Sequence, residues 1–157
     1  MEAKTAFKTS LIFLLALCIT FTVFRCAPAR TMNVGGCGPR ALHAAALPLG
    51  TTLREQQTLD LFPNHGFEVA LSEMESAAPK LGLIGKTRQM SLTDLKREKP
   101  IGVLHIDDVH FVAVVGYKGD SILIVDSLYR GETEPVRWYL DDLKTRWDGA
   151  ILVLSRK

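Results

Sequence analysis

Three residues of this sequence have side chains that together could form a nucleophilic site: Cys37, His110 and Asp126. A thiol attacks a carbonyl carbon as its thiolate, and a neighbouring imidazole favours that thiolate and exchanges protons with the reacting groups. A carboxylate that orients the imidazole completes such a triad. Each residue also has an ordinary interpretation, because cysteines are often buried and aspartates are common in turns. The residue types alone therefore leave both interpretations open.

The residues around Cys37 predict a loop that opens into a helix. Glycines lie on both sides of the cysteine, at Gly36 and Gly38, and Pro39 suits the first position of a helix. We expect Cys37 to lie immediately before that helix, where the helix dipole lowers the pKa of a thiol. The flanking glycines would let a substrate backbone come close to the sulfur.

The strands predicted around His110 and Asp126 would bring these two side chains together. Two apolar and β-branched segments, 111–117 and 122–125, flank a turn centred on Gly119. If that turn joins a hairpin, His110 at the start of one strand and Asp126 at the end of the next lie at the same end of the sheet. A carboxylate there could orient the imidazole and stabilise its cation.

The elements that must position these residues predict an α+β fold. We expect helices at 40–47, 51–61, 72–81, 91–96 and 140–146, and strands at 101–106, 111–117, 122–125, 136–139 and 150–154. Thr51 or Thr52 would cap the second helix, and Ser72 with Glu75 has the spacing of a capping box for the third. Helices followed by strands with short connections are typical of helices packed on an antiparallel sheet. We place this domain at residues 31–157.

Residues 1–30 have the pattern of a targeting segment. Lys4 and Lys8 precede the uncharged run Leu11–Phe24, whose 14 residues are fewer than the roughly 20 that a membrane-spanning helix needs. An A-x-A pattern ends at Ala29, where a signal peptide would be cut. We expect a protein that is exported or membrane-anchored, outside the cytoplasm, with either a cleaved signal peptide or an uncleaved anchor helix. A buried cytosolic helix is the third interpretation.

The composition excludes several other classes of protein. The 3 cysteines, of which only Cys37 lies beyond the targeting segment, cannot form a disulfide scaffold, and no C-x-x-C spacing indicates zinc. A net charge of +2 from 19 basic and 17 acidic residues indicates no nucleic-acid partner. We expect no cofactor and no metal. No G-x-x-x-x-G-K-[ST] string occurs, so we expect any transporter partner to be a separate chain.

The string CGPRAL, which begins at Cys37, resembles the nucleophile motif of papain-like cysteine peptidases of family 39. This family comprises bacteriocin-processing, double-glycine leader peptidases and their stand-alone relatives. The second half of the sequence is similar to the family in order, with SLTDLK, PIGVLHIDDVHFVAVVGY, GDSILIVDSLYRG and LDDLKTRWDGAILVL following one another. The similarity covers roughly residues 33–155.

The resemblance implies a papain-like fold and a cysteine endopeptidase that acts on peptide or protein substrates. In that enzyme Cys37 is the nucleophile, His110 is the general base and later the acid, and Asp126 orients His110. The family usually has a glutamine about six residues before the cysteine that donates a hydrogen bond to the oxyanion. Thr31 occupies that position here, and Asn33 is the substitute donor that we assign, although it is two residues out of place.

The missing glutamine keeps two further functions open. Loss of one oxyanion donor typically lowers the rate by about 10²–10³. The first alternative is therefore a catalytically weak or inactive peptidase-like domain that binds peptide segments at the membrane. The second is a structural or interaction domain attached to the membrane. Fast alkylation of Cys37 at pH 7 would distinguish a catalytic thiol from a buried one.

Overall fold

Helices come first along the chain and strands follow in the computed structural model, which describes residues 36–63, 69–126 and 134–157. The α-helices are α1 (Cys37–Ala46), α2 (Glu55–Leu59), α3 (Leu71–Ala77) and α4 (Leu92–Glu98), and 3-10 helices span Leu47–Leu49, Ala78–Leu81 and Leu140–Leu143. The strands are β1 (Leu83–Gln89), β2 (Ile101–Ile106), β3 (His110–Lys118), β4 (Ser121–Asp126), β5 (Val136–Tyr139) and β6 (Trp147–Arg156). This order confirms the predicted α+β class. No helix in these ranges is long and apolar enough to cross a membrane.

The strands of the described residues form one antiparallel sheet in the order β1-β6-β2-β3-β4-β5. The run from β2 to β5 is a meander, because each strand pairs with the next one along the chain. β6 breaks that order, since it pairs with β1 on one side and with β2 on the other. The end of the sheet where β3 begins and β4 ends is the end that carries the candidate site.

Alternation along the strands divides the core between the two faces of the sheet. Val103, Ala113 and Val125 lie in the cluster that α1 and α3 cover. Their neighbours Leu104 and Val112 lie in a second cluster, to which α4 and the 3-10 helix at residues 140–143 contribute. Helices therefore cover both faces of the sheet, and α1 packs directly on β3.

Two contacts hold α2 against α1. Arg40, in the first turn of α1, forms an ion pair with Glu55, and the His43 Nδ1 atom lies 3.2 Å from the hydroxyl oxygen of the buried Thr58. Burial lowers the pKa of His43, which favours a neutral ring in this contact. Arg40 belongs to the string CGPRAL, and its ion pair gives it a structural role there.

β1 is the strand that the sequence pattern missed. Among its 7 residues only the Leu83 side chain is buried, so the strand shows no alternation of apolar and polar residues. It forms through backbone pairing with β6 at the edge of the sheet, from Leu83 opposite Arg156 to Gln89 opposite Ala150. β6 is also longer than predicted, because it begins at Trp147.

The predicted start of the second helix is wrong. The backbone N–H of Thr51 donates to the Ala46 carbonyl at the end of α1. This bond ties residue 51 to the preceding helix, so α2 begins only after Arg54, which is in an extended conformation.

The predicted capping box of the third helix is wrong as well. The carboxylate of Glu75 accepts a hydrogen bond from the Thr87 N–H of β1 at 2.8 Å. Glu73 caps α3 in its place, by accepting from the Ala70 N–H at 2.8 Å. The predicted helix 72–81 is divided into α3 and the 3-10 helix at residues 78–81.

Candidate active site

Cys37 is the first residue of α1, whereas the sequence analysis placed it immediately before the helix. The N-cap residue is Gly36, whose left-handed backbone (φ 80°) disfavours a residue with a side chain. The Arg40 N–H donates to the Gly36 carbonyl at 3.0 Å and closes the first turn. Pro39 fits inside that turn because first-turn N–H groups have no acceptor within the helix. The thiol therefore lies at the positive end of the helix dipole.

The start of α1 lies close to the core at Gly38. A Cβ atom at this position would lie 3.4 Å from side-chain atoms of Phe111 and Val69 and 3.5 Å from Met74. These distances are at the limit of ordinary van der Waals contact, so packing alone does not require a glycine here. The role of Gly38 in admitting a substrate backbone stays a prediction.

His110 and Asp126 meet at the end of the sheet where the hairpin pattern predicted them. His110 begins β3 and Asp126 ends β4, where Asp126 pairs with Val112. The His110 Nε2 atom lies 2.8 Å from the Asp126 Oδ1 atom. The two side chains are only 12% and 22% exposed, so water screens their interaction weakly.

The surroundings of Cys37 favour its thiolate. Burial by itself raises the pKa of the thiol. A hydrogen bond with His110, hydrogen bonds from the backbone N–H groups of Phe111 and Gly38, and the charge of His110 outweigh burial and lower the pKa below its ordinary value. The N–H of Phe111 is a donor that the sequence analysis missed. Its only sequence signal is its place next to His110, since a backbone donor needs no particular side chain.

The surroundings of His110 favour its cation. Burial by itself lowers the pKa of the ring, but the hydrogen bonds to Asp126 and Cys37 and the negative charge of both partners raise it to about 9. Because Nε2 faces Asp126, Nδ1 is the nitrogen that remains for the thiol. Because the pKa of the thiol is lowered and that of the imidazole is raised, the ion pair of thiolate and imidazolium is favoured over the neutral pair. Such a pair can attack a carbonyl carbon and then supply a proton to a leaving group.

The other polar residues of the β2–β3 hairpin do not gather around His110. The register pairs His105 with Phe111 and Ile106 with His110, so the two histidines are not opposite each other. The His105 ring packs on the Phe111 ring with centroids 4.9 Å apart, and its Nδ1 lies 3.9 Å from Asp148. Within the described ranges no three His, Cys, Asp or Glu side chains form a group that could hold a metal ion.

Several residues assigned from the sequence lie outside the described residues. They are Thr31, which takes the place of the family glutamine, the proposed oxyanion donor Asn33, and the whole targeting segment 1–30.

Comparisons with known proteins address the family and the fold. A family model described as "Peptidase C39 family" matches residues 27–157. Among curated proteins none matches this chain. Similar folds occur in the peptidase domain of Streptococcus ComA, a bifunctional ABC transporter involved in quorum sensing (18% identity, TM-score 0.64, 82% of this chain and 96% of that chain). They also occur in a double-glycine-motif protease from an AMS/PCAT transporter in complex with the leader peptide (19% identity, TM-score 0.59, 82% and 91%).

A third structure has the same fold at lower identity. It is the N-terminal peptidase C39-like domain of the toxin secretion ATP-binding protein from Vibrio parahaemolyticus (12% identity, TM-score 0.54, 76% and 95%). These likenesses confirm the predicted papain-like arrangement of helices on an antiparallel sheet. The family match covers Cys37, His110 and Asp126 together with every described strand. On that match, the chain belongs to the peptidase C39 family.

Proposed function

We propose that this protein is a cysteine endopeptidase that cleaves peptide bonds by acyl transfer through Cys37, His110 and Asp126. The observation that carries the proposal is the chain of hydrogen bonds from the thiol through the imidazole to the carboxylate, at the start of α1. Family membership supports a peptidase, and this geometry supports the assignment of roles to the three residues.

In the proposed reaction the Cys37 Sγ attacks the carbonyl carbon of the scissile peptide bond. As the C–N bond breaks, His110 gives its proton to the leaving amine, and the acyl group stays on sulfur as a thioester. A water molecule then attacks that thioester and passes a proton to His110. The carboxylic acid product leaves, and the thiolate–imidazolium pair forms again. Asp126 holds the ring in orientation and stabilises its cation throughout.

We assign the stabilisation of the oxyanion first to the start of α1. The N–H groups of a helix's first turn point out of its N-terminus, beside the sulfur that attacks. The backbone N–H of Cys37 is one of these groups. For the side-chain donor that the family's glutamine usually supplies, we propose Asn33, because Thr31 cannot present an amide.

The proposed substrates are peptides with a leader sequence. The double-glycine-motif protease with a similar fold was solved with its leader peptide bound, and the ComA domain is part of a transporter. We extend these properties to this chain as a proposal, with a separate chain as its transporter partner. We further propose that residues 1–30 place the domain outside the cytoplasm, by export or by anchoring to the membrane.

A second candidate function follows from Thr31. A chain without an adequate oxyanion donor would bind peptide segments at the membrane and cleave them slowly or not at all. The thiol would still be reactive in that case, so turnover is the measurement that separates the two functions.

The first prediction concerns the nucleophile. Cys37→Ala should lower the cleavage of peptides with double-glycine leaders by about 10³-fold or more, because no other group can form the thioester. Folding should change little, since the residue is small and only partly buried. Cys18→Ala is the matched control and should keep wild-type activity. Wild-type cleavage by Cys37→Ala would end the peptidase proposal, and binding without turnover by the wild type would favour the second function.

The second prediction concerns pH. The active form needs an ionised thiol and a protonated imidazole, so kcat/KM should rise as pH passes the lowered pKa of Cys37. It should fall again as pH rises through about 9, where His110 loses its proton. Asp126→Asn removes the carboxylate that raises the pKa of His110, so the alkaline limb should move to lower pH. It should lower kcat less than Cys37→Ala does. An alkaline limb that stays in place in Asp126→Asn would contradict the role of the carboxylate.

The third prediction concerns the oxyanion. Asn33→Ala should lower kcat by about 10²-fold with little change in KM, because the oxyanion exists only beyond the ground state. Thr31→Gln in the Asn33→Ala background should restore much of that loss by supplying the family's donor. If Asn33→Ala is neutral and Thr31→Gln alone raises kcat, Asn33 is not the donor and the natural site is incomplete.

The fourth prediction concerns the targeting segment. Fractionation of cells that express the full chain should recover it outside the cytoplasm or in the membrane fraction. Leu14→Arg combined with Leu15→Arg interrupts the apolar run and should leave the protein in the cytosol. Recovery of the intact natural chain as a soluble cytosolic protein would refute the export proposal.

A further inference from the structure

Asp107 and Arg146 are joined by both their side chains and their backbones. The Arg146 Nε atom lies 3.1 Å from each carboxylate oxygen of Asp107, and Nη2 donates to Oδ2 at 2.6 Å. The Asp107 N–H donates to the Arg146 carbonyl at 2.7 Å. Asp107 directly follows β2 and Arg146 directly precedes β6, so these contacts fasten the ends of two neighbouring strands.

Arg146 makes two further contacts that restrict its movement. Its guanidinium carbon lies 4.6 Å from the centre of the Trp138 ring in β5, which is within the range of a cation–π contact. Its backbone N–H donates to the Leu143 carbonyl at 3.1 Å. The two N–H groups of Arg146 that face Asp107 are therefore held in one orientation, whereas the arginine of an ordinary surface ion pair is mobile.

The segment that this pair holds leads directly into His110. Asp107 and Asp108 have φ angles of 52° and 60°, and two successive non-glycine residues seldom adopt this left-handed conformation. The Val109 N–H donates to the Ile106 carbonyl at 3.3 Å and closes the turn. His110 is the next residue and pairs with Ile106. A shift of the Asp107 backbone would therefore move the His110 ring, which lies three residues further along the chain.

The charges of the pair also interact with residues of the candidate site. The pKa of Asp107 is lowered mainly by its hydrogen bonds with Arg146 and also by the charge of His110. The pKa of Arg146 is raised mainly by Asp107 and also by Asp126. Asp107 thus has a weak electrostatic interaction with His110, and Arg146 has one with Asp126.

We propose that Asp107 and Arg146 are positioning residues that fix the β2–β3 turn and thereby hold the His110 imidazole between Cys37 and Asp126. The inference rests on the proposed catalytic role of His110. The groups that lower the pKa of the thiol are His110, Phe111 and Gly38, so Asp107 and Arg146 would act through the turn. An ion pair that is 38% and 40% exposed adds little to the stability of a whole domain. Its loss should therefore affect the site more than it affects the thermal midpoint Tm.

The test uses conservative variants of each partner. Asp107→Asn tolerates the left-handed backbone but loses the charge, and Arg146→Lys keeps the charge but loses the planar fork. Asp108→Asn is the matched control, because Asp108 has the same backbone conformation and no ion pair with any described residue. Circular dichroism and Tm establish that each full-length variant is folded.

The main readout is the rate at which iodoacetamide alkylates Cys37 between pH 5 and 10, which needs no substrate. Trypsin cuts after Arg30 and Arg40, so mass spectrometry of peptide 31–40 separates Cys37 from the other cysteines. Asp107→Asn and Arg146→Lys should each alkylate about threefold to tenfold more slowly than wild type at pH 6, because a displaced imidazole favours the thiolate less. The rates should converge near pH 10, and Asp108→Asn should match wild type throughout.

Cleavage supplies the second readout. Each variant should lower kcat by about tenfold with little change in KM, since small displacements of a catalytic group lower turnover strongly. The double variant should be no slower than the worse single variant. Variants with a lower Tm but wild-type alkylation profiles would overturn the proposal and leave the pair a structural one. If the wild type alkylates rapidly but cleaves no peptide, the peptidase function fails while the alkylation profiles still decide the role of the pair.

Discussion

The half-buried imidazole of His110 is the group on which the rest of the site depends. It takes part in two interactions at once, with a carboxylate at 2.8 Å and with the thiol of Cys37. A ring that is largely shielded from water keeps a positive charge to higher pH when both partners stay in place, because each supplies negative charge that offsets its lost hydration. The start of α1, the start of β3 and the end of β4 must therefore meet with little freedom.

The packing of α1 on the sheet satisfies this requirement. Small residues line the face of α1 that packs on the sheet, since Ala41 and Ala45 are buried in the core cluster and Gly38 lies close to Phe111. The antiparallel pairing of β3 with β4 places the carboxylate beside the ring without any contribution from a loop. The nucleophile and its partners are thus carried by regular elements, which hold catalytic groups more exactly in position than flexible connections do.

Local patterns predicted those parts of the site that depend on local structure. The hairpin that brings His110 to Asp126 follows from two apolar strands and one tight turn. The distance from Cys37 to this hairpin depends on packing between distant segments, and only the resemblance to family 39 indicated it. β1 escaped prediction because its one buried side chain leaves no alternation to detect. The contact of Asp107 with Arg146 joins residues that are 39 positions apart, and no local pattern connects them.

The place of β6 in the sheet has a consequence for how the protein is made. This strand lies between β1 and β2, yet it follows every other described strand in the chain. Until the ribosome has released it, β1 has no partner strand and β2 has one exposed edge. Contacts between such distant segments also form slowly. A nascent chain would therefore expose these unpaired strand edges, which favour edge-to-edge association, until β6 has been synthesised.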